Sequence, residues 1–378
     1  MKSQNQVILS IGSNQGERLE NITQCIDLIH HQMGTVIGVS KLYETPSWGF
    51  DSAAFYNAAV VIHTYQSPQQ VLDCLMIIEK QLGRVRNGQS GYQARTIDID
   101  IISFNNDLIE TESLQIPHPQ MQHRLFVLLP MKDLAIAFVH PILNKTITEL
   151  IDACQDKSEC QLILDLKEPL ANFDLQQFRF IAIEGNIGVG KTTLTTKIAE
   201  DFKAKTVLER FSDNSFLPKF YQDQSRYAFS LELSFLVDRH QQLSSDMAQF
   251  DWSKDCVIGD YHFFKSLIFA KVTLPEDEFQ LYSKVFEMID TAMPQPGLFL
   301  YLYQNTERLL QQIKQRGRSY EQDISAAYLD KINEGYLTYI QSQTNLNVLV
   351  IDVSDLDFVK NQSDYISILE AIQRKIKT

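Results

Sequence analysis

A glycine-rich segment near the middle of the chain has the spacing of a nucleotide-binding loop. Residues 185–193 read Gly-Asn-Ile-Gly-Val-Gly-Lys-Thr-Thr and fit G-x-x-x-x-G-K-[ST] at every fixed position, after a strand-like run and before a helical one. Glycine lets successive backbone N–H groups turn toward a phosphate, and the N-terminus of the following helix favours negative charge. Lys191 would bring a positive charge to the outer phosphates, and the Thr192 hydroxyl would bind Mg²⁺. The segment therefore predicts an ATP site whose loop residues are Gly185, Gly188, Gly190, Lys191, Thr192 and Thr193.

A second group of charged residues lies in the first half of the chain. Residues 96–101 read Thr-Ile-Asp-Ile-Asp-Ile, and on a β-strand this alternation puts Asp98 and Asp100 on one face and the isoleucines on the other. Two carboxylates about 7 Å apart along a strand can hold two Mg²⁺ ions on a polyphosphate. The alternative is a half-exposed strand with a solvated acidic face. Cationic side chains nearby favour a metal–triphosphate site, and they are Arg84, Arg95, His118 and Arg124.

Length and composition limit the kinds of protein this can be. A chain of 378 residues with 44% hydrophobic and 21% charged residues predicts two globular domains. The formal net charge of -13 argues against a nucleic-acid or anionic-membrane partner, since both bind a basic surface. The five cysteines are scattered without CxxC spacing, and the sequence shows neither a signal-peptide core nor a membrane-spanning run. We expect a protein of the reducing cytoplasm.

The first half of the chain alternates between strand and helix patterns. Its order, β-α-β-β-α-β, is the split βαβ arrangement of an α+β ferredoxin-like domain. The predicted strands cover residues 7–11, 35–43, 58–65 and 96–104, and the predicted helices cover residues 19–33 and 68–82. The regular pattern weakens between residues 152 and 177, so we expect a boundary near residue 165 and an N-terminal domain of residues 1–160.

The second half, residues 178–378, predicts an α/β P-loop domain with a parallel sheet. Strands separated by long helices imply parallel βαβ units in three layers. The predicted strands cover residues 180–184, 206–208, 256–258, 298–302 and 348–351. The first leads into the glycine-rich loop, and the next two end just before Glu209 and Asp260. Because parallel sheets bind ligands beyond the carboxyl ends of their strands, Glu209 is expected beside the bound nucleotide.

Residues 180–352 resemble the deoxynucleoside kinase family, which shares a fold with thymidylate kinase. The resemblance rests on the glycine-rich loop and on Leu-Glu209-Arg, Asn214-Ser-Phe-Leu-Pro-Lys-Phe-Tyr, Phe-Leu-Val-Asp-Arg239 and Arg316-Gly-Arg318. It implies that Glu209 is the general base at the nucleoside 5′-hydroxyl, and that Arg316 and Arg318 close as a lid on the transferring phosphates. The alternatives are a strand-end cap for Glu209 and a solvated helix end for the two arginines.

Two positions depart from the kinase pattern. The family has an acidic residue followed by Arg and Ser after the third strand, whereas Asp260-Tyr261-His262 stands here. We expect Asp260 to position the nucleoside, and an arginine introduced at Tyr261 to pair with Glu209. Glu232 takes the position at which the family has a Gln that binds the base, and similarity to bacterial relatives favours a purine deoxynucleoside. A homodimer formed through the kinase domain is a further expectation.

Residues 7–150 resemble 6-hydroxymethyl-7,8-dihydropterin pyrophosphokinase, an enzyme family of the folate pathway. The matching segments are Ser-Ile-Gly-Ser-Asn14, Tyr-Glu-Thr-Pro46, Tyr-Asn57-Ala-Ala, Gly-Arg84-Val-Arg86, Arg95-Thr-Ile-Asp-Ile-Asp100 and Pro117-His118. The family transfers the β,γ-diphosphate of ATP to the hydroxymethyl oxygen of the pterin and leaves AMP.

This second resemblance implies a role for each charged residue of the N-terminal half. Asp98 and Asp100 would bind both Mg²⁺ ions. The side chains that would hold phosphates are Arg84, Arg95, His118 and Arg124. The side chains that would contact the pterin are Thr45, Asn57, Phe55 and Phe126, and ordinary core packing is the alternative for the two phenylalanines. A buried amide such as Asn57 needs hydrogen-bond partners, which the flat edge of a pterin offers.

The two halves together predict one bifunctional enzyme that uses ATP and Mg²⁺. Hydroxymethyldihydropterin and a deoxynucleoside would be its small-molecule substrates, and no nucleic-acid or membrane partner is expected. A second hypothesis makes the C-terminal half a nucleotide-binding or oligomerisation module with little turnover, because the Arg after Asp260 is missing. A third, a P-loop ATPase that drives a partner, fits poorly because the sequence shows neither a docking helix nor a basic track.

Overall fold

A computed structural model of the chain describes residues 4–49, 51–84, 94–134, 136–171, 173–210, 214–290 and 294–376. Arg86 of the matching segment Gly-Arg84-Val-Arg86 lies outside these residues. The chain divides into two compact units, residues 1–172 with 361–370 and residues 173–360 with 371–378. In the described part of the chain, no helix combines the length and the apolar character needed to cross a membrane.

The first unit is built on an antiparallel sheet. Its elements in chain order are β1 (Asn5–Ser13), α1 (Arg18–Gln32), β2 (Thr35–Val39), β3 (Lys41–Thr45), β4 (Phe55–Thr64), α2 (Pro68–Gln81), β5 (Asp98–Phe104), β6 (Ile109–Glu110), β7 (Gln115–Ile116), α3 (Leu125–Asp133), α4 (Ile147–Ala153) and β8 (Gln161–Asp165). The strands lie in the order β5-β1-β4-β3-β8, β2 also pairs with β4, and β6 pairs with β7. From β1 to β5 this is the predicted order, with the second strand divided in two.

Two details of this unit differ from the sequence-based prediction. The strand predicted over residues 35–43 is interrupted at Ser40, whose hydroxyl accepts a hydrogen bond from the Ala59 backbone N–H at 2.8 Å and donates one to the Lys41 carbonyl at 2.7 Å. The domain end predicted at residue 160 lies before β8, which pairs with β3, so the unit extends past it. The run Gln-Leu-Ile-Leu-Asp is short and half exposed, and its pairing depends on a strand edge that no local pattern reveals.

The middle of the sheet is buried on both faces, because successive side chains point in opposite directions. Along β4, Ala58, Val60 and Ile62 belong to a core to which α1 and α2 contribute. Ala59 and Val61 belong to a second core, to which α3 and α4 contribute. The continuous apolar run in this strand is therefore explained by helices on either side of it.

On β5 the same alternation separates apolar from acidic residues. Ile99 and Ile101 join the core that α1 and α2 cover. Asp98 and Asp100 alternate with them and therefore project from the other face of the strand. The arrangement predicted from the Asp-Ile-Asp-Ile pattern is thus present in the structure.

The second unit is built on a parallel sheet. Its elements in chain order are β9 (Phe180–Gly185), α5 (Lys191–Phe202), β10 (Lys205–Val207), α6 (Leu217–Gln222), α7 (Gln224–Met247), β11 (Val257–Gly259), α8 (Lys265–Thr273), α9 (Glu276–Asp290), β12 (Leu298–Tyr303), α10 (Thr306–Arg316), α11 (Ala326–Ser342) and β13 (Val348–Asp352). The last helix of the chain is α12 (Gln362–Ile376). Its residues up to 370 are counted with the first unit and the rest with the second. The strands lie in the order β10-β11-β9-β12-β13 and all pairs are parallel. Each predicted strand is found, and the parallel α/β class is confirmed.

Helix α7 carries two buried charged side chains. It begins after Asp223, whose side chain accepts a hydrogen bond from the Arg226 backbone N–H at 3.2 Å and so caps the first turn. Its buried residues recur at helical spacing, and they include Glu232 and Arg239. A separation of seven residues puts these two on one face of the helix. Charges in such a position need partners, because an unpaired buried charge is costly.

Two candidate active sites

The first unit contains a cavity of about 620 Å³, a size suited to a small-molecule ligand. Every described residue of this half to which the sequence assigned a role lines it, namely Thr45, Phe55, Asn57, Arg84, Arg95, Asp98, Asp100, His118, Arg124 and Phe126. The fold therefore gathers residues from positions 45 to 126 around one space.

The register of three strands explains how several of these residues meet. Asp98 lies opposite Gly12 and Asp100 opposite Ser10, while Gly12 lies opposite Asn57 on its other side. A Cβ atom at Gly12 would lie 3.1 Å from Asn57 Oδ1, which is tighter than an ordinary contact. Glycine at this position therefore leaves room for the Asn57 amide next to the acidic strand.

Asp98 is held by two arginines. Arg84 Nη1 donates to Asp98 Oδ1, and Arg95 Nη2 lies 3.0 Å from Asp98 Oδ2. Arg84 Nη1 also donates to Oε1 of Glu79, a buried carboxylate that accepts a further hydrogen bond from the Ile99 backbone N–H at 3.0 Å. Glu79 thus ties Arg84 to the strand that carries the two aspartates.

The ionisation of Asp100 and His118 follows from their surroundings. Burial and the neighbouring Asp98 carboxylate raise the pKa of Asp100 to about 7, although nearby arginines act in the opposite direction. Burial and the charge of Arg124 lower the pKa of His118 to about 4, so its imidazole is neutral at pH 7. His118 Nδ1 accepts a hydrogen bond from the Gln120 backbone N–H at 3.2 Å, which leaves Nε2 as the protonated nitrogen. The cavity thus offers a carboxyl pair and a neutral N–H donor.

A second group of cavity residues is aromatic or carries an amide. Asn57 Nδ2 donates to Thr45 Oγ1 at 2.8 Å, and both side chains are buried. Phe55 and Phe126 both line the cavity, which places their rings within reach of a flat ligand. Trp48 lines it as well, with its ring centroid 6.0 Å from that of Phe126. The sequence pattern had not indicated Trp48.

In the second unit the glycine-rich loop joins β9 to α5. Gly188 and Gly190 have φ angles of 89° and 97°, a left-handed conformation that glycine adopts without strain. Lys191 is the first residue of α5, and its Nζ donates to the Gly185 carbonyl at 2.9 Å. Burial, followed by the charge of Lys265, lowers the pKa of Lys191 to about 8. The loop therefore has the shape and the lysine that a phosphate site needs.

Asp260 connects this loop to Glu209. Its Oδ2 accepts a hydrogen bond from the Thr192 hydroxyl, and its Oδ1 accepts one from the Glu209 backbone N–H at 2.7 Å. The loop follows β9, Glu209 follows β10 and Asp260 follows β11, so three neighbouring strands deliver the group to one edge of the sheet. The sequence assigned Asp260 to the nucleoside, whereas its contacts are with the loop and with Glu209. Thr193 lies half-buried in the first turn of α5.

The Glu209 carboxylate is bound by two cations. Arg239 Nε donates to Glu209 Oε1 at 2.9 Å, and Lys265 Nζ donates to Glu209 Oε2 at 2.5 Å. Burial acts to raise the pKa of Glu209, but Lys265 and Arg239 together hold that pKa well below its usual range. The expected benefit of an arginine at position 261 is therefore not supported. Tyr261 is fully buried in the apolar core, and an arginine there would add a third cation beside a carboxylate that already has two.

Glu232 and the two lid arginines also have partners. Glu232 Oε1 accepts a hydrogen bond from the Thr273 hydroxyl at 3.1 Å, and burial raises the pKa of Glu232 to about 7. Arg316 and Arg318 both pair with Glu321, a buried carboxylate, and Arg318 Nη1 lies 3.2 Å from its Oε1. The lid arginines thus converge on one point.

Comparison with known proteins agrees with this division. The family model described as 7,8-dihydro-6-hydroxymethylpterin-pyrophosphokinase matches residues 8–136, and the one described as deoxynucleoside kinase matches residues 181–377. A 2-amino-4-hydroxy-6-hydroxymethyldihydropteridine pyrophosphokinase of Bacillus subtilis is 44% identical over 128 residues, which are 33% of this chain and 75% of that enzyme. The deoxyguanosine kinase of Bacillus subtilis is 36% identical over 190 residues, which are 49% of this chain and 92% of that enzyme. The chain belongs to both families.

The first unit is therefore a pyrophosphokinase of folate synthesis and the second a deoxynucleoside kinase, with ATP as a substrate. A further pyrophosphokinase, from Porphyromonas gingivalis, is 37% identical over 138 residues, which are 36% of this chain and 93% of that enzyme. The predicted bifunctional enzyme is confirmed.

Some residues of these two sites were not assigned from the sequence. In the pyrophosphokinase unit, Glu79 is a carboxylate on the buried face of α2, and its place among apolar residues is the signal that could have found it. In the kinase unit, Arg239 stood in a matched motif but was given no role. Lys265 had no local signal, since its contact with Glu209 joins residues 56 positions apart.

Proposed function

We propose that the cavity of the pyrophosphokinase unit is the site at which the β,γ-diphosphate of ATP passes to the hydroxymethyl oxygen of 6-hydroxymethyl-7,8-dihydropterin, leaving AMP. The observation that carries this proposal is that one cavity is lined by every described residue of this unit that was assigned to metal, phosphate or pterin. We also place this unit among the ferredoxin-like folds, which its antiparallel strand order β5-β1-β4-β3 with α1 and α2 supports.

Asp98 and Asp100 are the side chains that would hold Mg²⁺. Their fit is supported by the half-buried Asp100 carboxyl, whose pKa is raised by desolvation and by Asp98, because a cation at the pair would relieve that repulsion. In the part of the chain that the structure describes, no three His, Cys, Asp or Glu side chains form a metal-binding group. Two carboxylates with phosphate oxygens suit Mg²⁺, which is commonly held through one or two carboxylates and its nucleotide. When bound, the metal neutralises charge on the polyphosphate.

The cationic side chains of the cavity would hold the ATP phosphates. Arg84 and Arg95 pair with Asp98 and so stand beside the carboxylates, and Arg124 lies buried in the same cavity. Guanidinium groups bind phosphate oxygens through two parallel hydrogen bonds. The neutral His118 can add an Nε2 donor without adding charge.

The amide and aromatic residues would bind the pterin. Asn57 uses one Nδ2 hydrogen on Thr45, so its other hydrogen and its Oδ1 lone pairs can meet the donors and acceptors on the pterin edge. Phe55 and Phe126 would contact the faces of the ring, since flat aromatic systems gain from offset stacking.

Formation of AMP from ATP with hydroxymethyldihydropterin tests this site. We expect Asp98→Ala to lower the rate by about 10²-fold or more, because a site for charge stabilisation is lost. Phosphorylation of deoxynucleosides by the same protein should be unchanged. If both activities fell together in a folded variant, the division into two sites would be wrong.

We further propose that Glu209 accepts the proton of the nucleoside 5′-hydroxyl while the γ-phosphoryl group of ATP is transferred. The observation that carries this proposal is the chain of contacts from Thr192 through Asp260 to Glu209, which joins a nucleotide loop to an ionised carboxylate. The Thr192 hydroxyl, oriented by Asp260, would bind Mg²⁺. A low pKa makes Glu209 a weak base, which suits a reaction that depends mainly on positioning and charge. Arg316 and Arg318 would close on the phosphates.

Glu209→Gln tests this role because it keeps the shape of the side chain. The rate of ADP formation with a deoxynucleoside should fall by roughly 10²–10⁴, while the Michaelis constant for the nucleoside changes little. A variant that phosphorylates at the parent rate would leave Glu209 with a structural role only.

The alternative hypothesis of a nucleotide-binding module with little turnover was based on the missing Arg after Asp260. That reason no longer applies, because Arg239 and Lys265 provide the cations beside Glu209.

We propose a purine deoxynucleoside as the substrate, with deoxyguanosine preferred. The 36% identity to a deoxyguanosine kinase supports this choice. So does the chemistry of Glu232: burial raises its pKa to about 7, and two adjacent N–H donors on the guanine edge would stabilise the ionised carboxylate, which accepts hydrogen bonds only. An adenine edge presents one donor and one acceptor and fits a carboxylate less well. Rates with the four deoxynucleosides decide the matter.

We also retain two broader proposals. A cytoplasmic location is supported by the five cysteines, all of which are free in the structure.

A homodimer through the kinase unit is supported by Leu281 and Met288, exposed apolar side chains seven residues apart on α9. Sedimentation equilibrium of the parent and of Met288→Lys tests the dimer.

A further inference from the structure

Lys265, which lies outside the motifs on which the resemblance to the kinase family rests, reaches the centre of the kinase site. Lys265 is the first residue of α8, and its side chain is only 9% exposed. Its Nζ donates to Glu209 Oε2 at 2.5 Å. Its charge also acts on the ionisation of Lys191 and Glu184, so it stands close to the phosphate loop as well as to the carboxylate.

The turn that precedes α8 holds this lysine in place. Asp260 binds the Thr192 hydroxyl at the start of the turn. The His262 backbone N–H donates to the buried Glu184 at 2.6 Å, and the Lys265 backbone N–H donates to the His262 carbonyl at 3.1 Å. Both ends of the turn are thus attached to the site, and the lysine that follows it is directed toward Glu209.

The same turn has no positive charge at position 261, where the kinase family has an arginine. Tyr261 is fully buried among apolar residues and brings no charge. Lys265, four residues later, brings the positive charge instead. A buried lysine is rare in proteins unless it is paired, because desolvation of the ammonium group is costly. The contact with the Glu209 carboxylate offsets this desolvation cost.

We propose that Lys265 is a positioning residue of the kinase reaction, which holds the Glu209 carboxylate in its working orientation and supplies the cation that position 261 lacks. The inference rests on the proposed role of Glu209. The two cations divide the carboxylate between them: Arg239 binds Oε1 and is itself anchored to the Ser266 hydroxyl at 2.8 Å, whereas Lys265 binds Oε2. Loss of Lys265 leaves one oxygen without its partner and the carboxylate free to rotate.

Lys265→Met and Lys265→Arg, made in the full chain, test the proposal with ATP and deoxyguanosine. Lys265→Met should lower kcat by about 10²-fold, the loss expected when a reacting group is misplaced, with a change of about threefold or less in the Michaelis constant for the nucleoside. Lys265→Arg should stay within about tenfold of the parent, because it keeps the charge. Lys271→Met, at a 55% exposed position on the same helix, is the matched control and should behave as the parent.

The pH profile gives a readout that a merely structural lysine would not move. Lys265 lowers the pKa of Glu209, so Lys265→Met should shift the acid limb of kcat/KM to higher pH. The other ionisable groups that act on Glu209 or are acted on by it remain in the variant, and they are Arg239, Glu232, Lys191, Asp260, Tyr261 and Tyr336. AMP formation with the pterin, measured on the same preparation, checks the other unit.

A double variant that moves the positive charge from position 265 to position 261 completes the test. Lys265→Met combined with Tyr261→Arg should be at least about tenfold faster than Lys265→Met alone, which is the coupling expected of residues that share one partner. The proposal is overturned if Lys265→Met keeps the parent kcat and pH profile, if Lys265→Arg is no better than Lys265→Met, or if a folded double variant shows no gain. If the double variant does not fold, the arginine variant decides. A parent without deoxynucleoside phosphorylation, or an unimpaired Glu209→Gln, would refute the proposed function instead.

Discussion

Asp100→Asn should make the pyrophosphokinase unit more stable in the absence of Mg²⁺ and should also inactivate it. Burial and the Asp98 carboxylate raise the pKa of Asp100 from 3.8 to about 7. A folded state that holds its proton more tightly than the unfolded chain loses stability as the pH rises through this interval, and the loss is complete above about pH 7. The difference between about 7 and 3.8 corresponds to about 4 kcal/mol, at about 1.4 kcal/mol per pH unit. Asparagine does not ionise and avoids this cost.

Urea unfolding in EDTA at pH 5 and pH 8 measures the effect. The chain has two tryptophans, Trp48 in the cavity of the pyrophosphokinase unit and Trp252 in the kinase unit. In a Trp252→Phe background, fluorescence therefore reports the unit that contains Asp100. Part of the cost is already present at pH 5, so the parent should lose about 3 kcal/mol of unfolding free energy between the two pH values, and Asp100→Asn much less.

Added Mg²⁺ and a control variant complete this experiment. Mg²⁺ should stabilise the parent more than Asp100→Asn, since a ligand stabilises the folded state in proportion to its affinity for it. Asp107→Asn removes an exposed carboxylate just after β5 and should keep the pH dependence of the parent. An Asp100→Asn variant with the same loss of stability as the parent would refute the reasoning, because the raised pKa of Asp100 beside Asp98 would then not be the cause of that loss.

Three further predictions concern the kinase unit. Lys191→Ala should abolish ADP formation with a deoxynucleoside and leave pterin-dependent AMP formation intact, because the loop lysine serves one site only; the reverse result would exchange the two assignments. Tyr261→Arg alone should cost the kinase unit about 3 kcal/mol of unfolding free energy, since it buries an uncompensated cation, and unchanged urea unfolding would contradict this. Glu232→Gln should favour deoxyadenosine over deoxyguanosine by about 10–100-fold in kcat/KM relative to the parent, because an amide matches the donor and acceptor of adenine. An unaltered ratio would remove Glu232 from base recognition.

Short-range geometry made much of this molecule predictable from its sequence. The glycine-rich loop depends on φ angles that glycine adopts and on the helix that begins at Lys191, both of which are local properties. The alternation of Asp98 and Asp100 with isoleucines depends only on the two-residue period of a strand. The three central strands of the kinase sheet, β9, β11 and β12, are short, mainly apolar runs buried on both faces, and all five strands lie within one residue of their predicted bounds.

Contacts between distant positions were settled only by the tertiary structure. β8 belongs to the first unit because it pairs with the edge of β3, a partner about 120 positions away that its own residues do not specify. Asp260 and Lys265 meet Glu209 because neighbouring parallel strands end at the same edge of the sheet, although these strands are far apart in the chain. The sequence by itself determined which chemical groups are present and how the chain near each one folds. The tertiary structure decided which of these groups are neighbours, because the free energy of a buried charge depends on partners brought to it by the whole fold.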